Sequence, residues 1–203
     1  MEIPFIFSII ILIMSVVIHE LSHGYAAVLL GDPTPKVQGR LTLNPFKHLE
    51  WFGSFIVPVI TGFMGIPVGW AKPVEFNPYN LKNKRSGELL IAAAGPASNI
   101  LIAVIFGLII RGIVAQAGQV PVDFLALSAQ IVGINLFLAI FNLIPMPPLD
   151  GSKILFNILP ASMFGVRRFM EQYAIIFALI AIFLLWRLVE PLIPIVFSFL
   201  TGI

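Results

Sequence analysis

The sequence contains no cysteine. That excludes a disulfide framework, a thiolate nucleophile and any cysteine-ligated metal, so a transition metal would have to be held by His, Asp or Glu. Charge is nearly as scarce: 11% of the 203 residues are charged, against roughly 25% in a soluble domain. With 59% of residues apolar, there is too little polar side chain to coat a globule of this size. An ordinary water-soluble enzyme is thereby excluded. Histidine is limited to three residues, so their placement carries weight. The first apolar run follows Met1-Glu2 without a basic n-region, which predicts a retained span and not a cleaved signal peptide. No internal repeat or low-complexity tract is present.

The apolar residues gather into long runs, for which lipid is the natural solvent. Ile3 to Leu30 would extend about 42 Å as a helix, more than the roughly 30 Å hydrocarbon core, and ends at Gly31-Asp32-Pro33. Glu88 to Ile110 is a second span, with Gly95-Pro96 and Asn99 inside it. Phe124 to Ile144 is a third, and Tyr173 to Val189 a last, followed by a short apolar tail with Pro191 and Pro194. Between the first two runs, Val37-Gln38-Gly39-Arg40-Leu41-Thr42-Leu43 alternates, which predicts a short strand that could offer an edge to an extended peptide. Trp51 to Trp70 is apolar but holds Gly53, Gly62, Gly65, Gly69, Pro58 and Pro67. The expected fold is an all-α polytopic membrane protein: a three-helix core plus a C-terminal span, with a short β-like segment and a re-entrant segment. It is expected to form one integral membrane domain over 1–203, with its core at about 3–155, the re-entrant or extra span at 51–70 and the C-terminal span at 173–189.

The basic residues bear on whether 51–70 crosses. If it dips in and returns, Lys36, Arg40, Lys47, Lys72, Lys82, Lys84, Arg85, Lys153, Arg167 and Arg168 share one face, leaving Arg111 and Arg187 at or near the other. If it spans, the basic residues divide far more evenly. The positive-inside rule favours the first arrangement and makes the basic face cytoplasmic. Glycine and proline at this density also suit a re-entrant segment buried against protein; a further span with glycine packing faces is the alternative.

His19-Glu20-Leu21-Ser22-His23 carries the chemistry. Residues four apart stack on one helix face, so His19 and His23 can grip one metal ion. Glu20 lies about 100° around the helix, where it can serve as general base without being a ligand. Three ionisable residues inside a span need a compensating partner, because each costs about 2.5–3.5 kcal/mol on insertion scales. A metal is the simplest partner. His19 lies about 17 Å from the Leu30 end of the helix, inside the apolar slab but nearer the basic face. Two histidines require a third protein ligand. Asp150 is the candidate: it follows a span directly, and it emerges on the basic face if 51–70 is re-entrant. Pro148-Leu149-Asp150-Gly151 also reads as a turn with Asp as N-cap; the pairing with His19 and His23 favours the ligand.

These segments resemble the site-2 protease family of intramembrane zinc metalloproteases, peptidase family M50. The resemblance rests on His19-Glu20-Leu21-Ser22-His23, on Gly95-Pro96-Ala97-Ser98-Asn99, and on Phe141-Asn142-Leu143-Ile144-Pro145-Met146-Pro147-Pro148-Leu149-Asp150-Gly151, in that order. Gly39-Arg40-Leu41-Thr42-Leu43-Asn44-Pro45 and Gly69-Trp70-Ala71-Lys72-Pro73 are similar to its compact prokaryotic branch without PDZ or CBS domains. The 111–123 loop is too short for a PDZ domain. The resemblance implies one zinc ion held by His19, His23 and Asp150, with Glu20 as base and Asn142 positioning substrate or stabilising the oxyanion. It further implies transmembrane protein substrates and a prokaryotic cell membrane, with the active site towards the cytoplasm.

Other features read more plainly. His48 is expected to be an interfacial histidine. Gly95 and Asn99, four apart, suit close helix packing and an inter-helix hydrogen bond. Lys82, Lys84 and Arg85 suit anionic lipid and not nucleic acid, and Arg187 and Glu190 are placed to pair or snorkel. Two other functional classes use the same residues. A membrane metal carrier would need no base like Glu20, and a catalytically inactive homologue that binds membrane helices would not need the full ligand and base set.

Overall fold

The computed structural model describes residues 5–51, 56, 71–115 and 121–203. Among these described residues, three helices are long and apolar enough to cross a membrane: α1 (Phe5–Leu29), α3 (Lys84–Ala115) and α4 (Val122–Asn142). Their 25, 32 and 21 residues exceed the roughly 20 that the hydrocarbon core demands. α1 stops where its sequence turns from apolar to Gly31-Asp32-Pro33. Gly31 is left-handed (φ 109°), and the Asp32 N–H donates to the Ala27 carbonyl while that of Gly31 donates to Val28. This pattern satisfies carbonyls that the helix end would otherwise orphan.

Hydrogen bonds fix how the three helices run. Ser15 of α1 meets both Asn99 of α3 and Asn135 of α4. Further along α1, His23 meets Ile91, which lies earlier in α3 than Asn99; α1 and α3 are therefore antiparallel. Earlier in α1, Ser8 meets Gln130, earlier in α4 than Asn135, so α1 and α4 run in the same sense. The end of α1 and the start of α3 lie together, with the Lys82 N–H donating to the Leu30 carbonyl.

Asp32 holds that junction. It is fully buried, and its Oδ1 accepts from the Thr34 hydroxyl at 2.6 Å and the Asn80 amide at 2.7 Å. Its Oδ2 accepts from the Asn77 N–H at 2.6 Å. One carboxylate thus ties the turn after α1 to the segment that leads into α3.

The predicted strand at 37–43 is not formed. Thr34–Val37 is a short helical turn, α2, with Pro35 near its start, and the chain then turns at Gly39 (φ 64°). Proline presets the helical φ, Gly39 breaks extension, and among the described residues there is no strand to pair with. Alternation alone could not supply a partner. The expected re-entrant segment falls on residues that, but for 51 and 56, lie outside those described.

After α4 come α5 (Asp150–Ile158), α6 (Phe164–Gln172) and α7 (Ala174–Ile180), then a π-helical stretch at Ala181–Leu185 and α8 (Trp186–Val189). The predicted last span is therefore helical from Ala174 to Val189, after a turn at Tyr173, and changes its winding midway. Its tail is more than an appendage: Leu192–Thr201 forms α9. Ile193, Val196, Phe197 and Leu200 pack against buried Ala103, Ile110, Val132 and Leu136 of α3 and α4, and Arg111 donates to the Phe199 carbonyl at the end of α9.

Candidate metal centre

His19 and His23 occupy one face of α1, as their spacing requires, and both are buried at 5% and 7% exposure. Asp150, the first residue of α5, is equally buried. The His19 Nε2 and His23 Nε2 atoms each lie 3.0 Å from Asp150 Oδ2 and 3.1 Å from one another. Residues 131 positions apart in sequence meet because α4 returns the chain to the end of the bundle where α1 finishes.

Gly151 makes the last approach. A Cβ there would stand 2.3 Å from the Leu143 carbonyl oxygen and 2.4 Å from that of Ile144. Only a residue without a side chain lets the first turn of α5 press against the end of α4, and that contact sets the depth of Asp150. Its Oδ1 accepts from Lys153 Nζ at 3.1 Å, which leaves Oδ2 to face the histidines.

The outer ring nitrogens define the chemistry of the cluster. His23 Nδ1 lies 2.6 Å from the Ile91 carbonyl oxygen, which can only accept, so Nδ1 carries the proton. His19 Nδ1 lies 2.6 Å from Asn99 Oδ1 and donates likewise. Both Nε2 atoms then present lone pairs to a carboxylate oxygen. Three acceptors converge with no donor among them, the arrangement a cation satisfies. Ligands of a tetrahedral zinc at about 2.0–2.1 Å stand about 3.3–3.4 Å apart, and this triangle matches to within a few tenths of an ångström. The donor set, two neutral imidazoles and one carboxylate, leaves a fourth position for water or substrate.

α3 backs the cluster. A Cβ at Gly95 would stand 2.4 Å from His23 Nε2 and 2.6 Å from His19 Nε2. The close packing expected of Gly95 is therefore packing against the two imidazoles themselves. The hydrogen bond expected of Asn99 is present too, and its partner is His19. Glu20 is half-buried and is not one of the three converging groups; its Oε2 accepts from the Val74 N–H at 2.9 Å. Asn142 donates to the Leu138 carbonyl of its own helix at 2.9 Å and is not drawn into the triangle. His48 is buried; it donates through Nε2 to the Thr42 carbonyl and is not one of the converging groups. Sequence reasoning missed Ile91, Val74, Asn135 and Lys153. The polar residues Asn135 and Lys153 were open to suspicion, Asn135 for its cost inside a span and Lys153 for its i,i+3 spacing from Asp150; the backbone contacts left no trace in residue type.

The profile of peptidase family M50 matches residues 7–121 and 109–186. The chain is 40% identical over 168 residues to "Putative zinc metalloprotease YwhC" of Bacillus subtilis, covering 81% of this chain and 73% of that protein. It is 31% identical over 148 residues to "Putative zinc metalloprotease Rip2" of Mycolicibacterium smegmatis, covering 68% and 52%. A protein named as a zinc metalloprotease from Methanocaldococcus jannaschii is 30% identical over 150 residues, covering 74% of this chain and 33% of its own length. No solved structure matches.

Proposed function

The chain belongs to peptidase family M50, and from that premise we propose that it is an intramembrane zinc endopeptidase, cutting peptide bonds in or near the transmembrane segments of other membrane proteins. The observation that carries this reading is the convergence of His19 Nε2, His23 Nε2 and Asp150 Oδ2 on one buried point, with Glu20 next to His19 on the same helix. His19, His23 and Asp150 are the ligands in this reading. Zinc bound there supplies Lewis acidity, polarising the scissile carbonyl and acidifying the attacking water.

Glu20 takes the proton from that water at its carboxylate and returns it to the leaving amine. The Val74 N–H, donating to Oε2, holds the carboxylate in place and leaves Oε1 for the proton. Asn142, at the last turn of α4 and eight residues before Asp150, meets the substrate backbone. The scissile segment enters unwound, because a helix hides its carbonyls in hydrogen bonds.

The contact between Leu30 and Lys82 puts the end of α1 and the start of α3 at one end of the bundle, where α4 also ends. Asp150 then shares the end of the bundle with the basic segments, and the positive-inside rule makes that end cytoplasmic in a prokaryotic cell membrane. The whole chain acts in this reading as one integral membrane domain.

The test uses purified full-length protein in vesicles with a labelled single-span substrate. Glu20→Gln should keep its zinc and lose about 10²–10⁴-fold in cleavage rate; undiminished cleavage with zinc bound would sink the mechanism. His19→Ala and Asp150→Ala should lose zinc, and normal zinc content in the aspartate variant would remove Asp150 from the ligand set.

A further inference from the structure

The two histidines are oriented by different means. His23 is set by the backbone carbonyl of Ile91, whereas His19 is set by a side chain, Asn99, which is fully buried. Asn99 belongs to a longer chain of contacts. Its Nδ2 donates to Asn135 Oδ1 at 2.8 Å and lies 3.4 Å from the Ser15 carbonyl oxygen. Asn135, also fully buried, donates through Nδ2 to Ser15 Oγ at 3.0 Å and to the Ile131 carbonyl at 2.9 Å.

The direction of this chain is fixed at its far end. A backbone carbonyl only accepts, so Asn135 must turn its Nδ2 to Ile131. Its Oδ1 then faces Asn99, which must answer with Nδ2; the Ser15 carbonyl demands the same. Asn99 is left with Oδ1 for His19, and His19 must answer with Nδ1–H. The lone pair therefore sits on Nε2, facing His23 and Asp150. A flip of either amide would set acceptor against acceptor between buried groups.

Resting on the zinc reading above, we infer that Asn99, held by Asn135, is a positioning residue that fixes the tautomer and ring orientation of His19 for metal binding. α4 contributes no ligand, yet through Asn135 it sets one. The relay joins α1, α3 and α4, so displacement of α4 reaches the metal centre through two hydrogen bonds.

The experiment measures zinc affinity of the purified full-length protein by chelator competition, with the visible spectrum of the cobalt-substituted form and helicity by circular dichroism. Asn99→Leu, close in size but without an acceptor, should bind zinc about 10–100-fold more weakly, the range seen when outer partners of metal-bound histidines are removed. Its cobalt spectrum should change, because the His19 ring is free to rotate. Asn135→Leu should show a smaller loss. The double variant should be no worse than Asn99→Leu, since both act through His19; two independent packing defects would add. Folded Asn99→Leu protein with wild-type zinc affinity and cobalt spectrum would overturn the inference, as would additive losses. If the leucine variant loses helicity, Asn99→Ala, which leaves space, is read by the same criteria. Wild-type zinc content in His19→Ala, by contrast, would overturn the metalloprotease reading itself.

Discussion

Replacing Gly95 by alanine places a methyl carbon where the α3 backbone now faces the two imidazoles. At its ideal position that carbon stands 2.4 Å from His23 Nε2 and 2.6 Å from both Nε2 and Cε1 of His19. Carbon and nitrogen without a bond between them rest at about 3.5 Å, so one or both rings must retreat by about 1 Å. They are not free to do so, because each is tied at Nδ1 by a 2.6 Å hydrogen bond. Metal–ligand distances tolerate about ±0.2 Å, so a shift of this size disengages at least one ligand. Sharing the about 10–16 kcal/mol of a structural zinc site among four ligands gives about 3 kcal/mol for each, or about two orders of magnitude in affinity. Gly95→Ala should therefore bind zinc at least about 100-fold more weakly and lose cleavage, while remaining a folded helical protein. Chelator competition reads the affinity, and circular dichroism the fold. The control is Gly133→Ala, where a Cβ meets nothing within 4 Å and alanine should be neutral or slightly stabilising. A Gly95→Ala protein with wild-type zinc affinity would refute the reasoning, because it would mean that the α3 backbone does not wall the site.

Gly151→Ala should do comparable damage by another route. Its Cβ meets two backbone oxygens, which cannot swing aside as a side chain can, so α5 must lift away and carry Asp150 with it; zinc content and melting temperature should both fall. Asp32→Asn should cost about 1–3 kcal/mol in stability, because an amide nitrogen would face donors now satisfied by the carboxylate, and thermal unfolding measures it. The pH dependence has a definite sign. Burial raises the Asp32 carboxyl, but the Thr34 hydroxyl, the Asn80 amide and the Asn77 and Thr34 N–H groups outweigh burial and hold it below the usual carboxylate value. Its stabilisation is full above the unfolded-state value of about 3.9 and is lost as pH falls through the lower folded value. Melting temperature should fall more steeply with acid in the wild type than in Asp32→Asn; parallel curves would contradict the assignment.

Much of this arrangement was legible in residue types. The three long helices follow from apolar runs too long for anything but a span, and Gly31-Asp32-Pro33 marks the end of the first. His19 and His23 announce themselves by spacing, and Asp150 by its position after a span. The strand at 37–43 misled because alternation describes a pattern of side chains, while a strand also needs a neighbour. The tail at Leu192–Thr201 was underestimated for a related reason: its apolar residues gave no sign that α3 and α4 offered a groove for them. Asn99 lay between these cases. Its cost inside a span predicted a hydrogen bond, but which of the buried polar groups would answer it depended on how the helices are stacked.

That stacking bears on why the cluster suits a metal ion better than a polar patch held by its own bonds. Ser15, Asn135, Asn99, His19, Asp150 and His23 form one buried column ending at the Ile91 carbonyl. Within it each amide donor meets an acceptor, and the buried side-chain atoms without a partner among the described residues, His48 Nδ1 and Gln130 Oε1, lie elsewhere. In an apolar slab an unmatched polar atom costs several kcal/mol, so a fold tolerates one only where something else compensates it. The column balances donor against acceptor along its length except at one point, where two lone pairs and a carboxylate oxygen face each other at 3.0–3.1 Å. A proton shared there would satisfy one pair and leave the third acceptor opposed. A divalent cation of zinc's radius would meet all three at once, and a tetrahedral ion would keep a fourth position for the water that Glu20 would deprotonate.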